Sequence, residues 1–120
     1  MPPRLFARAL LALALLGLGT FATPSVAWAD ESTAIKLSDE GRLAFERKDY
    51  RTAAAKFEDA FREAPRGAVM FNAGLSWDLA KDRPRAADAF VKALARADLR
   101  PDEAAQAQKR LDEIRKELAV

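Results

Sequence analysis

Two stretches decide the fold: residues 41–60, GRLAFERKDYRTAAAKFEDA, and residues 74–93, GLSWDLAKDRPRAADAFVKA. At a shift of 33 positions Gly41 meets Gly74, Lys48 meets Lys81 and Asp49 meets Asp82. Ala53, Ala54, Phe57 and Ala60 likewise meet Ala86, Ala87, Phe90 and Ala93, and further out Ala64 meets Ala97. Self-similarity at a period of about 20–50 residues marks a repeat architecture, in which each unit buries its apolar side against the next. The echo runs over residues 34–66 and 67–99.

Working outward, each unit reads as a pair of helices. In the first, Ile35, Leu37, Gly41, Ala44 and Phe45 supply the small and apolar positions of a helix over Thr33 to Arg47. Lys48-Asp49-Tyr50 interrupts it. A second helix follows to Glu63, with Ala53, Phe57, Ala60, Phe61 and Ala64 at i, i+4, i+7, i+8 and i+11, one face of a 3.6-residue period. Pro65 and Gly67 stop it. The second unit repeats the plan from Ala68 to Lys81 and from Asp82 onward, with Asp82 as an N-cap and Pro84 in the first turn, where a missing N–H costs little. A fifth helix is expected from Pro101 to Leu118, its stripe formed by Ala104, Ala107, Leu111, Ile114 and Leu118. Val and Ile are few, alternation is absent and Ala is abundant, so an all-α fold is expected.

Composition narrows the chemistry. The chain has no His and no Cys, which removes imidazole bases, thiolate nucleophiles and the commonest metal ligands. No phosphate loop, metal motif or nucleophile–base spacing occurs. An enzyme is not expected, nor any cofactor. The acids mostly sit beside basic residues, as in the i, i+4 pair Asp112 and Lys116.

The first 29 residues read as a secretory leader. Arg4 and Arg8 precede the apolar run Ala9 to Leu18. Gly19, Thr20 and Pro24 break a helix, and the small residues Ala27 and Ala29 stand at −3 and −1 before Asp30. The dense apolar part is too short for a spanning helix, which needs roughly 20 such residues. Without Arg4 and Arg8, the 20 basic residues fall level with the 18 acidic ones. A neutral, mixed surface gives no footprint for nucleic acid and no polybasic patch for anionic lipid. Localisation is therefore expected in a bacterial periplasm or cell envelope, with no stable membrane insertion after cleavage.

The helix pairs resemble the tetratricopeptide repeat, a motif of about 34 residues built from two antiparallel helices. Leu37, Gly41, Tyr50, Ala53, Phe57, Ala60 and Pro65 carry the likeness in the first unit. Gly74, Trp77, Ala86, Phe90 and Ala93 carry it in the second. Three positions depart from the pattern: Glu40, Arg83 and Asp98, the last where a closing proline belongs. The resemblance implies a tandem helix-pair solenoid with residues 101–118 as a capping helix. It also implies a protein or peptide partner held on the concave face lined by the first helix of each pair. Carried over position by position, that face includes Ser38 and Glu46, with Phe45, Phe71 and Leu75 as apolar anchors and Arg42, Asn72 and Asp78 as polar rim. On this reading Phe71→Asp spares helicity and abolishes partner capture. A carboxylate clamp around Asn72 lacks its basic partners, since Ser38, Pro101 and Ala105 stand where they belong. Two alternatives remain open: self-assembly of this short array through the Leu111, Ile114 and Leu118 stripe, or membrane tethering by an uncleaved leader.

Overall fold

The computed structural model describes the backbone of residues 25–120 and the side chains from residue 30. The expected leader, including Ala27 and Ala29 at its cleavage point, lies outside the residues whose side chains are described. Five helices follow: α1 (Ser25–Glu46), α2 (Tyr50–Glu63), α3 (Gly67–Leu79), α4 (Arg83–Leu94) and α5 (Pro101–Leu118). Each packs on the next in sequence, and α5 also reaches back to α3. The described residues form tandem helical hairpins closed by a fifth helix, with no strand among them.

The two hairpin turns are built identically. In the first, the amide of Lys48 donates to the carbonyl of Phe45 at 2.9 Å and the amide of Asp49 to that of Ala44 at 2.9 Å. In the second, Lys81 donates to Asp78 at 3.0 Å and Asp82 to Trp77 at 2.9 Å. This 5→2 and 6→1 pairing is a Schellman ending, which needs a left-handed residue at its apex. Lys48 has φ 63° and Lys81 φ 67°. The next residue then starts the following helix. The Asp49 carboxylate accepts from the Thr52 amide at 3.4 Å and that of Asp82 from the Arg85 amide at 3.2 Å. The repeated Lys-Asp pair is thus a stop and a start joined in two residues.

The repeated glycines and phenylalanines form the hairpin interiors. A Cβ added to Gly41 meets the Phe57 ring at 2.9 Å, and one added to Gly74 meets the Phe90 ring at 2.6 Å. The bare backbone lets each ring approach the facing helix closely. Ala53, Ala60, Ala86 and Ala93, all fully buried, keep the helices close from the other side. Each Phe taken out of water contributes about 1.5–3 kcal/mol. Trp77 joins the hairpins: its Nε1–H donates to Glu58 on α2 at 2.6 Å, and the Arg85 guanidinium lies 5.0 Å above the ring.

The fifth helix spends its stripe inward. Leu111 and Ile114 are buried in the common core, and only Leu118 stays out, 51% exposed. The expected self-assembly stripe is therefore corrected, because two of its three residues close the stack instead.

Two departures from the repeat pattern have structural uses. Asp98, in the turn between α4 and α5, accepts the Gly67 amide at 3.0 Å. Arg66, at the N-cap of α3, makes no side-chain cap, so a residue from the far end of the same unit supplies one. Arg83 bonds the Asp78 carbonyl and carboxylate at 2.8 Å and Glu117 at 2.8 Å, binding α4 to α3 and α5.

Candidate functional site

Helix α3 sets the problem that a site has to answer. From Gly67 to Trp77 it has no charged side chain, and its apolar residues fall on every side. Such a helix is ordinarily covered all round. Met70, Phe71, Ala73 and Trp77 are indeed buried against α2, α4 and α5. Its remaining side holds Ala68, Asn72, Leu75 and Leu79, spaced i, i+4, i+7 and i+11, and these stay partly or fully exposed.

That open side forms one wall of a hollow of about 450 Å³, with α1 as the other wall. Ser38, Asp39, Arg42, Phe45 and Glu46 line it from α1, and Val69, Asn72 and Leu75 from α3, with Phe57 of α2 at the floor. A smaller hollow of about 220 Å³ shares Ser38, Asp39 and Val69 and adds Ile35, which is 57% exposed. Together they make one groove along the helix pair, closed at its far end by the Arg66–Glu31 ion pair.

The groove's polar groups are few and mostly engaged. Arg42 pairs with Glu46 at 3.1 Å and with Asp39 at 3.7 Å, all along the surface of α1. Phe45 is steadied by the edge of Tyr50, ring centroids 5.2 Å apart at 72°. The Asn72 carbonyl accepts from the buried Ser76 hydroxyl at 2.8 Å. Its side-chain carboxamide makes no hydrogen bond among the described residues, so it faces the groove with donors and acceptor free.

Of the six residues expected to line the site, the structure brings together Arg42, Phe45, Asn72 and Leu75. Phe71 and Asp78 lie elsewhere, which corrects their placement. Phe71 is 5% exposed and packs on Phe90, ring centroids 6.0 Å apart. Gly74, one turn along, leaves room for Phe90 to enter, and Phe71 turns to meet it. An aspartate there is a buried unpaired charge, so Phe71→Asp unfolds the domain and does not test the groove.

Asp78 is held by two arginines. Arg110 of α5 grips it through Nε at 2.6 Å and Nη2 at 3.0 Å, and Arg83 adds a bond at 2.8 Å. Arg110 continues to Glu113 at 2.9 Å and Glu117 at 3.4 Å. The Asp78 bonds first, and then that to Glu113, hold the Arg110 guanidinium more firmly protonated than usual. This cluster fixes the capping helix and leaves Asp78 nothing to offer a ligand.

Val69, Phe57 and Asp39 line the groove without having been singled out for it. Val69 had a signal, since it sits three residues before Asn72 on one helix face. Phe57 reads as packing in the sequence and serves both uses. No group of His, Cys, Asp and Glu side chains among the described residues is placed to hold a metal. No described helix is long and apolar enough to cross a membrane. Compared with models of known families, with curated proteins and with solved structures, the chain shows no match.

Proposed function

We propose that this chain is an exported, non-catalytic protein-interaction module of the tetratricopeptide-repeat type, acting in a bacterial periplasm or cell envelope. It presents the groove between α1 and α3 to a protein or peptide partner. Phe45, Val69 and Leu75 supply apolar contact, and the Asn72 carboxamide supplies the free hydrogen-bonding group. The observation that carries this reading is α3 itself, a helix apolar on all sides whose fourth side is left uncovered. A concave, mostly apolar surface with a few polar groups aimed into it is the usual form of a binding site. The leader-like sequence of residues 1–29 supports export.

A photo-crosslinking residue placed in cells at Leu75, and separately at Lys109 on the exposed side of α5, tests the groove. Adducts are expected at Leu75 alone, and Leu75→Asp in a protein of unchanged helicity reduces partner capture at a second groove position, Val69. Equal adducts at both sites refute the groove. The mass of the chain recovered from cells tests export, since cleavage after Ala29 removes residues 1–29.

A further inference from the structure

We infer that the occupant of the groove is an amphipathic helix of another protein, about three turns long, with a basic residue on the flank that lies over α1. This rests on the groove reading above and names the partner's form.

The form follows from hydrogen bonding. Both walls are helices whose backbone groups bond internally, so the groove has no free row of N–H and C=O to pair with a strand. Along the α1 wall, from Ile35 to Glu46, the groove runs about 17 Å at 1.5 Å per residue. An extended segment of that length has about five residues, and roughly half of its ten backbone polar groups face the walls. The neutral groups waiting there are the Asn72 carboxamide and the Ser38 hydroxyl. Each backbone group left unpaired weakens binding by about 5- to 150-fold. A helix satisfies its own backbone and presents side chains at i, i+3 or i+4 and i+7 to Phe45, Val69 and Leu75. The Asn72 carboxamide then serves one polar side chain at the edge of the stripe.

Charge sets the flank. The α3 wall is uncharged, and on α1 the single Arg42 stands between Asp39 and Glu46. One negative charge is left over, and Glu31 and Arg66 cancel at the far end. A Lys or Arg on the occupant's α1 side completes that ridge.

A second copy of this chain is a poor source. The apolar stripes of α2, α4 and α5 are consumed in the core, with Phe57, Phe90, Leu111 and Ile114 buried. The exposed Leu43, Val91 and Leu118 are single residues on separate helices.

The test uses the full chain and three fluorescein-labelled peptides of fourteen residues, blocked at both ends. The first has Leu at i, i+4 and i+7 with two Lys on one flank. The second replaces two central residues by Pro, and the third replaces both Lys by Glu. By fluorescence anisotropy the first binds, the second at least 10-fold more weakly and the third at least 3-fold more weakly. Leu75→Asp, checked for unchanged helicity, weakens the first at least 10-fold. Equal or tighter binding of the Pro peptide, still blocked by Leu75→Asp, overturns the helical occupant and leaves the groove reading standing. Equal binding of the Glu peptide overturns the basic flank. Failure of every peptide removes both, and a dimer by light scattering that Leu75→Asp makes monomeric identifies a second copy and overturns the proposal.

Discussion

The Asp98 carboxylate caps a helix that begins 31 residues before it, accepting the Gly67 amide at 3.0 Å. That bond, ahead of the neighbouring Arg96 charge, holds the carboxyl below the usual carboxylate range. A group whose folded value is depressed contributes stability that is complete above its unfolded value, about 3.9 for Asp, and that is lost as pH falls through the folded value. Asp98→Ala is expected to lower the urea midpoint at pH 7. The difference from the parent shrinks below about pH 4, where the parent loses the same contribution. Urea titrations at a series of pH values measure it, and a constant difference down to pH 2 contradicts the cap.

The two repeated glycines differ in what stands behind them. A methyl on Gly74 meets the fully buried Phe90 ring at 2.6 Å, whereas one on Gly41 meets Phe57 at 2.9 Å, beside the hollow it floors. Gly74→Ala is expected to cost about 1–3 kcal/mol through overpacking. At Gly41 the gain in helix propensity, about 1 kcal/mol, offsets most of the clash. Chemical denaturation of both variants checks the order, and a more stable Gly74→Ala protein refutes the close approach.

Asp78 and Arg110 are 17% and 25% exposed as side chains, so their pairing is only partly screened. Arg110→Ala is expected to cost about 1–3 kcal/mol, less than a fully buried pair, because Arg83 still partners Asp78. The loss falls first on α5, where amide exchange quickens. In a double-mutant cycle with Asp78→Ala the effects are less than additive, since the second change removes the carboxylate that the first leaves short of a partner.

The apex lysines are replaceable. A left-handed conformation costs a residue with a side chain roughly 1–2 kcal/mol, and the extra chain entropy of Gly offsets about 0.5–1 kcal/mol of that. Lys48→Gly and Lys81→Gly are each expected to raise stability by up to about 1 kcal/mol. Thermal melts of the single and double variants report it, and the two effects add, the turns being in separate units.

The scaffold was open to reading because its repeated residues perform repeated physics. Gly41 and Gly74, Phe57 and Phe90, and Asp49 and Asp82 act alike in both copies, so a 33-residue shift placed them all. The groove was harder, because a fixed shift assumes that like positions face alike. Phe71 stands at the position of Ser38, yet a ring beside the bare Gly74 turns to Phe90, whereas a serine stays at the surface. Asp78 stands at the position of Phe45, and its fate depended on Arg110, a partner 32 residues away that no local spacing announces. The start of α1 was also missed. Its helix begins at Ser25, ahead of the apolar period that opens near Thr33, through residues whose spacing gives no amphipathic signal.

The Lys-Asp turns leave no residue whose only task is connection. Within each hairpin the bonds that end one helix fall on the residue that caps the next, so one inserted residue breaks both at once. The joints that follow the hairpins, 64–66 and 95–100, hold no residue that both ends one helix and caps the next, since Arg66 and Arg100 make no side-chain cap. Growth of this architecture by added units, whether in nature or at the bench, is therefore expected to enter at those joints and to leave the hairpins whole.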